Sequence, residues 1–220
     1  MTQATHLQPL TLDEVKRLLV AARGHPDETL LIVALALGLR RGELLALRWD
    51  DIDFAHTLLS IHRTMHHPHR ESEPKTGRCE ILLPDFLIKV FQQQRSHQNK
   101  AKQEAGERWQ ERGLVFANTS GGVLEPNRLS LSFREIGEVA GVVSGSFHRL
   151  RCTTTALLLS VGVPPQVVQD ILGIRNINSA LLRSGQPLRV ARQDAMERLD
   201  DLFRTLFPTD HHDPSALDIL

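Results

Sequence analysis

Gly38-Leu39-Arg40-Arg41-Gly42-Glu43-Leu44-Leu45-Ala46-Leu47-Arg48-Trp49-Asp50-Asp51-Ile52-Asp53 is the stretch on which the reading of this chain turns. Before it, residues 28–39 are apolar nearly all round from Leu30 to Leu39, the pattern of a helix buried on every side. A short helix is expected over Gly42 to Leu47, so Arg40 and Arg41 stand at the joint between two helices. An arginine at a helix end ordinarily bonds last-turn carbonyls or a nearby acid, here Glu43. The same planar fork can instead take two oxygens of a phosphate, and it does so without ever losing its proton.

Upstream, Thr11-Leu12-Asp13-Glu14 has the form of a capping box. Val15, Leu18, Leu19 and Ala22 follow at helical spacing, and this first helix should end near Gly24-His25-Pro26. Downstream, Leu58 to Thr64 and Cys79 to Leu83 are β-like, and His66 to Gly77 between them reads as hairpin and loop. Pro84 opens a helix that passes through Leu87, Val90 and Phe91 into a polar section ending near Gly106. Leu114-Val115-Phe116 is a strand candidate and Gly121-Gly122 a turn. Helices are expected at 126–140, 147–161, 165–172 and 187–204, with Pro165 well suited to a first helical turn. The fold class is therefore mainly α with a small antiparallel β-sheet inserted early.

The chain has 220 residues, 41% of them hydrophobic, enough to build a real core. No apolar run approaches the ~20 residues that cross a bilayer, and the N-terminus lacks a basic-then-apolar signal pattern. Two cysteines, Cys79 and Cys152, are too few for a disulfide scaffold and suit a reducing compartment, so the expected location is the cytoplasm, at the nucleoid. The formal net charge is zero, which argues weakly against a polyanionic partner, but the charge is uneven. Between Ala140 and Gln193 there are six arginines (Arg149, Arg151, Arg175, Arg183, Arg189, Arg192) against one acid, Asp170. From Asp194 onward there are seven acids against Arg198 and Arg204. A neutral average can hide a basic face, and the face is what a nucleic acid meets.

Three segments carry chemistry: the opening block with Arg40, Pro74-Lys75-Thr76-Gly77, and Phe147-His148-Arg149-Leu150-Arg151. With Leu10 to Val15, Leu114-Val115-Phe116 and the run from Phe147 to Gly173, they make the chain resemble the catalytic domain of tyrosine recombinases, the phage-integrase family. The resemblance covers essentially residues 10 to 205, in the family's order. It implies the tyrosine-recombinase catalytic-domain fold and a role in DNA recombination or integration. By motif position it makes Arg40 and Arg151 the two arginines that bracket the scissile phosphate, a clamp that steadies charge developing on phosphorus. It makes Lys75 the proton donor to the departing sugar oxygen, and His148 the proton-transfer histidine. Glu43 becomes the structural partner of Arg40. His148 and Arg151 lie three apart, which on a helix sets both on one side.

Two positions depart from the family's pattern. Ile174 stands where a histidine or tryptophan is usual, and counting on, the nucleophilic tyrosine falls on Ser184; Cys152 also replaces a common histidine. The chain contains no tyrosine at all, so no shift of alignment supplies the attacker, nor does a second copy of the same chain. The resemblance thus implies a DNA-binding protein that has lost strand cleavage and holds a phosphate of double-stranded DNA through Arg40, Lys75, His148 and Arg151. Its expected protein partners are full-length recombinase subunits or further copies of itself through the C-terminal helix. Two alternatives stand beside this: an active strand-transferase or phosphodiesterase using Ser184 or water, and a protein-interaction module that binds no DNA. A serine with no base beside it is a poor attacker. The histidines at 66, 67, 69, 211 and 212 read as solvated, and no metal or other cofactor is expected, since the arginines and lysine already bring positive charge. The expected organisation is an N-terminal extension over 1–9, the catalytic-domain-like unit over 10–205 and a polar tail over 206–220. The family's N-terminal core-binding domain is expected to be absent, whether the chain is naturally short or a fragment.

Overall fold

The computed structural model describes residues 8–67, 70–73, 79–142, 147–173 and 186–206. Lys75, Ile174 and Ser184 lie outside those residues, as do His69, His211 and His212. The elements begin with α1 (Leu12–Ala21), α2 (Glu28–Leu37) and α3 (Arg41–Leu45). Five strands follow: β1 (Ile52–Asp53), β2 (Leu58–Ile61), β3 (Thr64–His67), β4 (Arg70–Ser72) and β5 (Cys79–Leu82). The remainder is helical: α4 (Asp85–Ala105), α5 (Pro126–Val139), α6 (His148–Ser160), α7 (Pro165–Ile171) and α8 (Gln186–Leu206). The mainly helical fold with small antiparallel sheets is thus the one read from periodicity; most helix ends shift by a residue or two, and α1 stops at Ala21, three residues before Gly24.

Helix α2 organises the core. Every side chain from Leu30 to Leu37 is buried, because α1, α4 and α6 pack around it. An apolar cylinder with no polar face can persist in water only when enclosed in this way. Helix α1 is amphipathic and buries Val15, Leu18 and Leu19. Its capping box is complete: the Thr11 hydroxyl accepts from the Glu14 amide at 3.2 Å, and the Thr11 amide donates to the Glu14 carboxylate at 2.8 Å. The last helix, α8, closes the other side over α4, α6 and α7. Phe203 lies fully buried there, stacked on Phe86 at 4.7 Å between ring centroids.

Two local expectations need correction. The β-like run from Leu58 to Thr64 is two strands in separate sheets. Among the described residues, β2 pairs with β1 and β5, and β3 pairs with β4 in a separate sheet. The break falls at His62-Arg63, where the Arg63 guanidinium turns aside to donate to the buried Asp51 carboxylate at 3.0 Å. Leu114-Val115-Phe116 forms no strand; Leu114 makes one isolated antiparallel bridge with Arg48. The ladder stops because the opposite segment winds into a 3-10 turn over Trp49–Asp51, which carries its backbone groups away from the pairing line.

Candidate functional site

The joint between α2 and α3 positions Arg40. Gly38 ends α2 in the left-handed conformation, φ 58° and ψ 28°, with its amide donating to Ala34 at 3.0 Å. Glycine is the residue for such a helix end because it has no Cβ to strain there. Space also demands it: a Cβ at residue 38 would sit 2.7 Å from a Leu172 methyl and 3.1 Å from the Thr154 side chain. The chain then extends through Arg40 (φ −67°, ψ 149°) into α3.

Glu43 holds that turn. One of its carboxylate oxygens accepts the Arg40 amide at 2.8 Å, and the other accepts the Arg40 guanidinium, also at 2.8 Å. The Glu43 side chain is buried, at 5% exposure, while that of Arg40 is 39% exposed. A carboxylate that caps the backbone and pins the side chain of one residue sets the direction of that guanidinium while leaving it at the surface.

Arg151 reaches the same turn from α6. Its guanidinium donates to the Gly38 carbonyl at 2.6 Å and to the Leu172 carbonyl at the end of α7. A guanidinium carries five N–H donors in one plane; two go to these carbonyls, which fix the plane of the fork. Arg151 is therefore buried, at 8% exposure, and joins α2, α6 and α7 at one point. The next turn of α6 reinforces the contact. Thr154 is fully buried, and its hydroxyl lies 2.8 Å from the Leu35 carbonyl and 3.0 Å from that of Leu150.

His148, at the first position of α6, is exposed. It shares the helix with Arg151, but the two side chains have different surroundings, one in solvent and one among carbonyls. Phe147 before it is buried against Phe133 in an edge-to-face contact, 6.5 Å between centroids, which anchors the start of α6. The structure thus brings Arg40 and Arg151 to one turn and sets His148 at the near end of the helix that bears Arg151.

Gly42 governs the other flank. A Cβ there would lie 2.5 Å from the Met65 carbonyl and 2.5 Å from the Thr64 hydroxyl. Glycine is what lets β3 lie against α3, so the β3–β4 hairpin sits beside the helix that starts after Arg40. Sequence reading identified the arginines and Glu43 but passed over Gly38, Gly42, Thr154 and the Leu172 carbonyl. The two glycines within four residues of each other were the available signal; the carbonyl acceptors had none.

The arginine-rich stretch is engaged with protein more than its composition suggests. Arg149 is buried, donates to the Gln8 carbonyl at 2.7 Å and lies 3.7 Å from the Glu14 carboxylate. Arg192 donates to Asp170 at 2.6 Å. With Arg151 also turned inward, three of the six counted arginines serve internal contacts; Arg175 and Arg183 lie outside the described residues, and the side chain of Arg189 does too. Among the described residues no group of three or more histidine, cysteine or acidic side chains is arranged to hold a metal ion, and no helix is long and apolar enough to cross a membrane. Cys152 is a half-buried free thiol on α6.

Comparison with known proteins follows the same lines. Residues 8–183 match the model of the phage integrase family. A tyrosine recombinase XerC-like protein of Caldanaerobacter subterraneus subsp. tengcongensis is 30% identical over 216 residues, covering 90% of this chain and 55% of that protein. An integrase of Saccharopolyspora erythraea is 22% identical over 254 residues, covering 90% of this chain and 58% of the relative. The chain therefore spans little more than half the length of these two relatives. Among solved structures, the integrase of the Tn1549 transposon in complex with circular intermediate DNA superposes with a TM-score of 0.64 at 20% identity, over 87% of this chain and 66% of that one. At that identity the likeness establishes the fold.

Proposed function

Since the chain belongs to the phage integrase family, we propose that it is a recombinase-like DNA-binding protein that holds a backbone phosphate of duplex DNA without cutting the strand. Arg40, Arg151, His148 and Lys75 hold the phosphate in this reading, with Ile174 and Ser184 in the two altered positions. The observation that carries it is the meeting of Arg40 and Arg151 at one turn in a chain that contains no tyrosine. A guanidinium can neutralise the non-bridging oxygens of a phosphodiester; that of Arg40 is 39% exposed at this turn, and that of the buried Arg151 is held against the same turn by the Gly38 carbonyl. Breaking the P–O bond further requires an attacking group, and the phenol that would supply it is absent. The complex of the Tn1549 integrase with DNA supports duplex DNA as the partner.

The electrostatic part of such binding has a definite signature. Each phosphate neutralised releases counterions, so the logarithm of affinity falls with the logarithm of salt at a slope of about −0.9 per phosphate. Gel-shift titrations across salt should show this dependence, and Arg40→Ala should weaken binding about tenfold or more. Incubation with a nicked suicide duplex should then leave no covalent protein–DNA adduct. An adduct, or nicking that Ser184→Ala abolishes, would establish an active enzyme. Affinity indifferent to Arg40→Ala would remove the phosphate pocket, and no binding even at low salt would leave the fold as a protein-interaction module.

A further inference from the structure

Strand β4 has an unusual attachment to the body of the protein. Strand β3 is pressed on α3 through the Gly42 contact, and Thr64 and Met65 are buried there. Beside strand β4 lies a cleft of about 240 Å³, lined by Arg48, Glu71, Glu111, Arg112, Leu114 and Val123. Across this cleft the Arg48 guanidinium donates to the Glu71 carboxylate at 2.8 Å. Among the described residues this is the ion pair that joins β4 to the body. Arg48 is well founded, since its own amide donates to Asp51 at 2.9 Å, and the buried Asp51 carboxylate also takes Arg63 from the β2–β3 connection. The pairing of β3 with β4 carries a register shift between Met65 and His67, and a two-stranded hairpin is marginal unless something else holds it.

We infer that Arg48 and Glu71 are positioning residues: their ion pair sets the placement of the β3–β4 hairpin beside the Arg40 turn and thereby tunes DNA affinity. The consequence for DNA rests on the function proposed above; the consequence for the hairpin does not. The two side chains are 35% and 36% exposed, so the pair contributes little to global stability. Its effect falls instead on the fraction of molecules whose hairpin is correctly placed, and apparent affinity scales with that fraction. Salt weakens an exposed pair, so part of the salt dependence of binding would arise within the protein.

The test is a double-mutant cycle of Glu71→Gln and Arg48→Met, read by amide hydrogen exchange, thermal melting and gel shift. Each single variant should speed exchange at the β3 and β4 amides while leaving those of α2 and α6 unchanged, with a melting shift under about 2 °C. Each should weaken DNA binding about three- to fivefold, and the double variant should be no worse than either single one. Unchanged hairpin exchange in both single variants, or strictly additive losses of affinity, would overturn the positioning role. Should the wild-type chain fail to bind DNA, or bind it regardless of Arg40, the function proposed above fails while the exchange measurement still decides the hairpin.

Discussion

Replacing Gly38 by alanine tests how the two arginines come together. The residue sits at φ 58°, where an L side chain costs roughly 1–2 kcal/mol. The added methyl meets Leu172 at 2.7 Å and Thr154 at 3.1 Å, and both are buried, so neither can move into solvent. Overpacking of this kind costs roughly 1–3 kcal/mol, while the less flexible unfolded chain returns roughly 0.4–1 kcal/mol. The net loss is roughly 1–5 kcal/mol, or roughly 2–20 °C in melting temperature for a chain of this size. Gly24 provides the control. It too has positive φ, 74°, but a methyl there would meet nothing within 4 Å, so Gly24→Ala should cost only about 1 kcal/mol. The difference between the variants, measured by urea denaturation with m-values compared, isolates the contact with Leu172 and Thr154. Equal losses for the two variants would refute the close packing of α2 on α6 and α7. The DNA affinity of Gly38→Ala should also fall, because displacing Leu172 shifts a carbonyl that orients Arg151.

Other substitutions follow from the same geometry. Gly42→Ala, with a methyl 2.5 Å from the Met65 carbonyl, should lower stability by roughly 1–3 kcal/mol, and hydrogen exchange should be faster in β3. Glu43→Gln keeps the shape but removes the charge from a buried partner of Arg40; a loss of roughly 1–3 kcal/mol is expected in denaturant titration, with weaker DNA binding as Arg40 loses its orientation. Glu14 supplies a pH prediction. The Thr11 amide hydrogen bond, helped by the Thr11 hydroxyl and by Arg149 and Arg17, holds its carboxyl below the usual range against the opposing effect of burial. A lowered folded-state pKa means the stabilisation is complete above the ordinary glutamate value and is lost as pH falls through the lowered one. Denaturation midpoints of wild type and Glu14→Gln should therefore differ at neutral pH and converge in acid; a constant gap would contradict the capping role.

Much of the helical framework is legible in local pattern. The unbroken apolar run of α2 demands burial from all sides, and the capping box of α1 is complete within four residues. Both are short-range facts, decided by side-chain period and by backbone donors that must find partners. The strand readings were weaker for the same reason. Leu58 to Thr64 has uniform β character, yet it divides between two sheets because Arg63 reaches the buried carboxylate of Asp51. Leu114 to Phe116 looks like a strand, yet its opposite segment coils away.

The site divides along the same line. By itself the sequence determined which chemical groups exist: the guanidiniums of Arg40 and Arg151, the imidazole of His148, the amine of Lys75, and no phenol anywhere. That last point is one of composition, and no folding can alter it. Only the tertiary structure decided where Arg40, Arg151 and His148 stand. The acceptors that orient Arg151 belong to Gly38, 113 residues away, and Leu172, 21 residues away. Every residue carries a carbonyl, so no side-chain pattern marks the two that matter. They come within reach of one guanidinium where Gly38, lacking a Cβ, lets the end of α2 lie against Leu172 and Thr154, and close approach of distant segments is a property of the packed chain.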